Sequence, residues 1–285
     1  MRLRFLGTGA ATAAPLPFCR CDFCRELRQK RIFRRRAALL INDEMIIDFG
    51  PDVPQIAAEA DIDLTKVHTV LQTHSHADHF DAGHFVTRIP GYAPENLPPL
   101  TLMGSPLTME HIREKMMREE GDDADTASDA ACRAMNLMPH TFTPGEMLHT
   151  CRYDILPIAV PHDVNDGSVI YLIHDTADEK TILYATDCPP FTDEVWQTLA
   201  RYRLDCAIMD HTYGTNRHAP CKSHMDAHQF AAMLRRLRGE GILKPGAPAY
   251  ATHISHEAHV SVEIMEAFAA DNGYILPVDG QNIFL

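Results

Sequence analysis

The segment His74-Ser75-His76-Ala77-Asp78-His79 places four potential metal ligands within six residues, directly after the β-rich run 67–73. Side chains repeat every second residue along an extended strand, so His74 and His76 point the same way. If the chain turns into a helix there, Asp78 and His79 swing toward a second, neighbouring point. One short segment can then serve two ions. Two cations about 3.5–4 Å apart clamp both the attacking and the leaving oxygen of a hydrolytic displacement. A lone histidine is more often packed or on the surface than a ligand. The joint occurrence of imidazole and carboxylate donors sets this block apart.

A dinuclear site needs further ligands, and the candidates share one pattern: a polar residue straight after an apolar strand. His162 follows 155–161, Asp187 follows 182–186, and His253 follows 249–252. Functional groups in layered α/β folds gather at strand ends. His211, after 205–210, fits loosely enough to line the same pocket.

Two further clusters carry chemistry. Cys19-Arg20-Cys21-Asp22-Phe23-Cys24 holds three thiols in six residues, which suits convergence on one ion better than a disulfide framework. A structural zinc wants four ligands; the bland reading is three buried or reactive thiols without metal. Cys132, Cys151, Cys188, Cys206 and Cys221 are isolated and read as free thiols. Ser223-His224-Met225-Asp226-Ala227-His228 opens a predicted helix over 225–238, with Asp226 in its first turn. His224 there can donate a proton or hydrogen bond to an anion, assisted by the helix N-terminus. The bland reading is a helix-start histidine with no ligand. His228, one turn on, is a second choice.

Short predicted strands at 3–6, 37–41, 45–47, 67–73, 153–160, 168–173, 181–186, 205–209 and 249–252 must position these residues. Helices are predicted at 53–60, 225–238 and 257–272. Gly7-Thr8-Gly9 is a turn at which backbone can approach a ligand closely. Arg34-Arg35-Arg36 reads as a solvated face or as a guide for an anionic substrate. Residues 104–149 are rich in Met and charge and include the acidic run 121–125. They read as a mostly helical insertion with a mobile middle, either a lid or dimer contact or a solvated excursion. No repeat, linker or low-complexity tract divides the chain, so 1–285 reads as one domain.

Composition sets the outer limits. The chain has 285 residues, 45% hydrophobic and 23% charged, enough for a sizeable core. Lys plus Arg is 26 against 39 Asp plus Glu, a formal charge of −13. That disfavours broad binding to long nucleic acid, but not a small phosphate-bearing substrate held by a few local groups. No run approaches 18 apolar residues, so no membrane span is expected. Met1-Arg2-Leu3-Arg4 is followed by Phe5-Leu6-Gly7-Thr8-Gly9, too broken for the apolar core of a signal. The expected location is cytoplasmic.

With these residues in place, the chain resembles the metallo-β-lactamase superfamily, whose His-x-His-x-Asp-His motif is intact at 74–79. More narrowly it resembles the PhnP-like phosphodiesterases. That match covers the Gly-Thr-Gly turn, the Cys-x-Cys-x-x-Cys cluster, Arg34-Arg35-Arg36, and Thr252-His253-Ile254-Ser255-His256. The resemblance implies an αββα sandwich. It assigns His74, His76 and His162 to one metal, and Asp78, His79 and His253 to the other, with Asp187 bridging. It makes His256 the fourth ligand of a structural zinc held by Cys19, Cys21 and Cys24. It implies that His224 binds the phosphate and helps protonate the leaving oxygen, and that Asp78 counts with it as a catalytic group. The cofactors implied are two divalent cations and the one structural zinc. Nitrogen and oxygen donors suit zinc, manganese or iron in the pair.

The expected reaction is hydrolysis of a small phosphodiester, such as a cyclic ribose phosphate or nucleotide-like diester, by a metal-bridging hydroxide. The resemblance also suggests a homodimer. The competing readings are a tRNA-processing endonuclease, a PqqB-like protein, a lactonase or thioesterase of the same fold, and a metal-binding scaffold without activity. The first needs an extended arm or basic surface to hold long RNA, and the sequence shows no Gly-rich basic arm. The last would show a broken ligand set, and none of the seven positions is missing.

Overall fold

A computed structural model of the protein describes residues 1–93, 97–119, 128–163, 165–216 and 222–285. The acidic run 121–125 and Cys221 lie outside the described residues. The first sheet contains β1 (Arg2–Gly7), β2 (Ala38–Ile41), β3 (Met45–Ile47), β4 (Thr69–Leu71), β5 (Leu100–Gly104) and β6 (Leu137–Thr141). The second contains β7 (Leu148–His149), β8 (Tyr153–Ala159), β9 (Val169–Asp175), β10 (Lys180–Ala185), β11 (Cys206–Asp210) and β12 (Ala249–Thr252). A last strand, β13 (Asn282–Phe284), returns to pair with β1, giving the order β13-β1-β2-β3-β4-β5-β6.

Alternation along the strands explains the layering. Leu39 and Ile41 of β2 enter the core between the sheets, where they meet Tyr171 and Ile173 of β9 and Ile182 and Tyr184 of β10. Their neighbours Ala38 and Leu40 face the other way, onto α2 (Val53–Glu59), α3 (Ala82–Val86), α4 (Pro106–Glu119) and α5 (Asp129–Ala134). Leu172 of β9 and Leu183 of β10 face α6 (Asp193–Leu199) and α7 (Ala227–Gly239). The period of two thus buries both faces of each sheet and gives the α/β, αββα sandwich. A smaller cluster joins α1 (Asp22–Lys30) to α8 (Val262–Asp271) through Phe23, Leu27, Val262 and Met265.

Two local readings change. Among the described residues of the segment 104–149, α4 and α5 are helical, and β6 and β7 extend the two sheets from within it. The parallel pairing of β6 to β5, Leu100 to Leu137 through Gly104 to Thr141, overrides the weak local pattern. Gly7 and Gly9 approach not a ligand but the backbone of 34–36: a Cβ on Gly9 would lie 2.6 Å from the Arg34 carbonyl oxygen.

Candidate metal centre

Strand direction gathers the site. β10 pairs parallel with β11 and β11 with β12, while β8 and β10 both run antiparallel to β9. The C-terminal ends of β8, β10, β11 and β12 therefore share one edge. His162, Asp187, Asp210 and His253 all sit at or just past those ends. The loop after β4 brings the 74–79 segment to them. Asp187 and His253, with Asp48, adopt left-handed backbone at φ 49°, 59° and 63°. Such φ values cost a non-glycine residue roughly 1–2 kcal/mol, and such strain concentrates at functional sites.

The ligand atoms converge in two groups. His74, His76 and His162 form one, and Asp78, His79, Asp187 and His253 the other; within each, the donor atoms lie within 4.8 Å of one another. Asp187 spans them. Its Oδ1 is 3.5 Å from His162 Nε2, and its Oδ2 is 2.9 Å from His79 Nε2 and 3.2 Å from His253 Nε2. Asp78 Oδ2 is 2.9 Å from His79 Nε2 and 3.6 Å from His253 Nε2.

Whether these residues fit a cation is decided by their unpaired atoms. His74 Nε2, His79 Nε2, His162 Nε2 and His253 Nε2 are all buried and make no hydrogen bond. His79 Nε2 is close to two carboxylates but aligned for a hydrogen bond with neither. One such orphan costs about 1–3 kcal/mol, and two in each ligand group fit donors to a cation better than packing. The opposite nitrogen of each ring is held: His74 Nδ1 is 2.9 Å from Thr73 Oγ1, and His79 Nδ1 is 2.7 Å from Asp48 Oδ2. Likewise His162 Nδ1 is 3.0 Å from the Ser223 carbonyl, and His253 Nδ1 is 2.8 Å from Thr212 Oγ1. Fixing one nitrogen sets the ring orientation and directs the other to the ion. His76 is more exposed, with Nε2 3.3 Å from Asp163 Oδ2. The residues fit a pair of cations.

The charge balance agrees. Burial holds His74 and His162 below the ordinary imidazole value. Burial also opposes a proton on His79, but Asp78, Asp187 and Asp48 outweigh it and hold this group well above. Burial would push Asp187 up, yet His253 and His79 keep it well below the usual carboxylate range. A bound cation would supply the positive charge that these carboxylates require.

His224 adjoins the centre. Its ring stacks on His253 at 5.1 Å and 12°, and lies edge-on to His162 at 4.8 Å. Its Nδ1 is 2.9 Å from Asp210 Oδ2. Asp226 is the N-cap of α7, closing a capping box with Gln229, and does not lie in the first turn. His224 is therefore steered by Asp210 rather than by a helix N-terminus. His228 turns away, with Nε2 3.2 Å from the Thr215 carbonyl and its ring against Phe268. His211 is buried with Nε2 2.9 Å from Tyr274 Oη, and belongs to none of the ligand groups.

The cysteine cluster forms its own group with His256. Cys19 Sγ and Cys21 Sγ are 3.6 and 3.7 Å from His256 Nδ1. Cys21 is the N-cap of α1 and accepts from Cys24 N, so the start of this helix sets the spacing. Burial pushes the Cys24 thiol up to about 12, which a bound cation would reverse. The loop after β12 carries His253 and His256, and is bolted to the N-terminal turn by Ile254 N to Thr8 O and Ala10 N to Ile254 O. Arg34, Arg35 and Arg36 are spent on structure. Arg34 donates to Thr8 Oγ1 and Pro277 O, Arg35 pairs with Glu59, and Arg36 pairs with Asp52.

A cavity of about 450 Å³ lined by Met109, Ile112, Met116 and Cys132 touches none of these ligands. Among the described residues, no helix is long and apolar enough to cross a membrane.

A family model described as "Beta-lactamase superfamily domain" matches residues 44–254. The chain belongs to this superfamily. Its metallo-β-lactamase fold recurs in solved structures of low identity. A diphosphatase of the PhnP family is 21% identical with TM-score 0.70, covering 99% of this chain and 97% of that one. Zn²⁺-bound PqqB from Methylobacterium extorquens is 16% identical with TM-score 0.71, covering all of both chains. Human tRNase Z, short form, is 16% identical with TM-score 0.64, covering 100% of this chain and 99% of that one. These likenesses are of fold. No curated protein matches the chain in sequence.

The sequence pattern missed Asp48, Asp163 and Asp210. Asp210 ends an apolar strand and obeys the rule that picks out Asp187 and His253. Asp48 lies beside a predicted strand, but nothing local shows that it faces His79.

Proposed function

We propose that the protein is a dinuclear metal-dependent hydrolase of a small phosphodiester. The carrying observation is the set of buried, unpaired His Nε2 atoms facing Asp78 and Asp187, with each opposite nitrogen held. His74, His76 and His162 would hold one cation, and Asp78, His79 and His253 the other, with Asp187 between them. When bound, such a pair supplies Lewis acidity and lowers the pKa of water toward neutrality. The donor set suits zinc, manganese or iron.

The phosphodiester reading rests on His224. Asp210 holds its Nδ1 and sets the ring against His162 and His253, beside the paired ligand groups, where it would bind the phosphate and carry a proton to the leaving oxygen. Asp78, kept ionised beside His79, orients the attacking water. Cys19, Cys21, Cys24 and His256 would hold a structural zinc that pins the His253 loop to the N-terminal turn. A thiolate cluster of this kind needs a reducing compartment, which supports a cytoplasmic location. The charge of −13 supports a small partner over long RNA.

The test is elemental analysis paired with bis-p-nitrophenyl phosphate, cyclic nucleotides and a simple lactone. Diester turnover that needs the active-centre cations is expected. Turnover of the lactone alone would overturn the phosphate assignment.

A further inference from the structure

We propose that helix α4 is a positioning element for one cation of the pair, acting on Ser75 through the buried carboxylate of Asp166. The inference rests on the metal-centre reading above and assigns that site a control point of its own. Ser75 separates His74 from His76, so its peptide sets the placement of both rings. Each of its polar groups is held. Ser75 N and Ser75 Oγ donate to Asp166 at 2.5 and 2.7 Å, and Lys115 donates to the Ser75 carbonyl. Asp166 is 2% exposed. Its Oδ1 lies 2.8 Å from His111 Nδ1, and its carbonyl accepts from Thr108 Oγ1 at 2.7 Å. Thr108, His111 and Lys115 all lie on α4.

The third ligand of the same group is tied in as well. His162, Asp163 and Asp166 share one loop, and Asp163 lies 3.3 Å from His76 Nε2. Backbone bonding closes that loop on itself through Asp166 N to Asp163 O. His74, His76 and His162 therefore flank residues clamped directly or indirectly by α4. The other group lacks this clamp: Asp48 holds His79 and also reaches His74 through Thr73 Oγ1, while Thr212 holds His253. The clamp is asymmetric, so its loss should weaken one cation and spare the other.

Apo protein titrated with Co²⁺ against a competing chelator tests this, using Asp166→Asn, Lys115→Met, His111→Ala and His111→Asn. The wild type should take up three equivalents, with the thiolate-bound ion identified by its charge-transfer band. Asp166→Asn and Lys115→Met should weaken one of the two remaining equivalents by ~10–100-fold, the usual effect of removing a partner of a ligand. The second equivalent and the thiolate site should keep wild-type affinity. His111→Asn retains a donor and should recover what His111→Ala loses. Equal weakening of both active-centre equivalents, or wild-type affinity in Lys115→Met and His111→Ala, would overturn the clamp. Uptake of only the thiolate-bound equivalent by the wild type would instead sink the dinuclear reading itself.

Discussion

Asp210 Oδ2 lies 2.9 Å from His224 Nδ1, while Asp210 Oδ1 accepts from the backbone N–H of Thr212 and of Met225 at 3.0 Å each. The carboxylate is thus fixed by the chain on both sides of the loop that carries the histidine. It fixes the His224 ring against His253 and His162. Proton transfer by a positioned side chain is worth ~10²–10⁴ in rate. His224→Ala should lower diesterase kcat by at least ~10² with the metal content intact. Asp210→Asn should lower it in the same direction, and the double variant should be little worse than His224→Ala alone. Full additivity in such a cycle would show that the two residues act separately.

Asp48 supports the other end of the centre, where its Oδ2 meets His79 Nδ1 at 2.7 Å. Asp48→Asn should reduce cation affinity by ~10–100-fold, since it removes the charge that orients the ligand. Asp187→Ala removes the carboxylate shared by both groups and should lose both active-centre ions. Metal analysis after dialysis separates the cases. Retention of both ions by Asp187→Ala would refute the bridging assignment.

The thiol cluster predicts a different signature. His256→Ala or Cys24→Ser should release one equivalent of zinc and lower Tm, because an ion held there would tie α1 to the loop after β12. Since that loop also carries His253, kcat should fall as well. If Cys24→Ser keeps its zinc content and its Tm, the cluster is three thiols without metal.

Stability should depend on pH through His211. Burial depresses this group to about 4, against an ordinary value near 6.5. The unfolded chain therefore binds the proton first as pH falls. Its contribution is fully present above pH ~6.5 and is lost progressively down to pH ~4, on the order of 3 kcal/mol in all. Burial also lowers His259, which adds to the same trend. Urea unfolding at pH 7.5 and 5 should show a smaller loss for His211→Gln than for the wild type. Equal losses would rule out His211 as a source.

The sequence by itself determined the layered α/β class, the 74–79 ligand block, and the strand-end positions of His162, Asp187 and His253. It could do so because side-chain alternation and a polar residue after an apolar strand are local properties of the chain. It also placed three thiols together, since they are neighbours in sequence. Only the tertiary structure decided the roles of Asp48, Asp163, Asp166 and Asp210. Each acts across a gap that no local pattern spans, such as 31 residues from Asp48 to His79 or 91 from Asp166 to Ser75. The same reason explains the arginine run. A stretch of like charges reads as a free cationic face until the fold brings Asp52, Glu59 and the Pro277 carbonyl against it. Parallel pairing of β10, β11 and β12 then sets which strand ends share an edge, and so which acids and histidines meet.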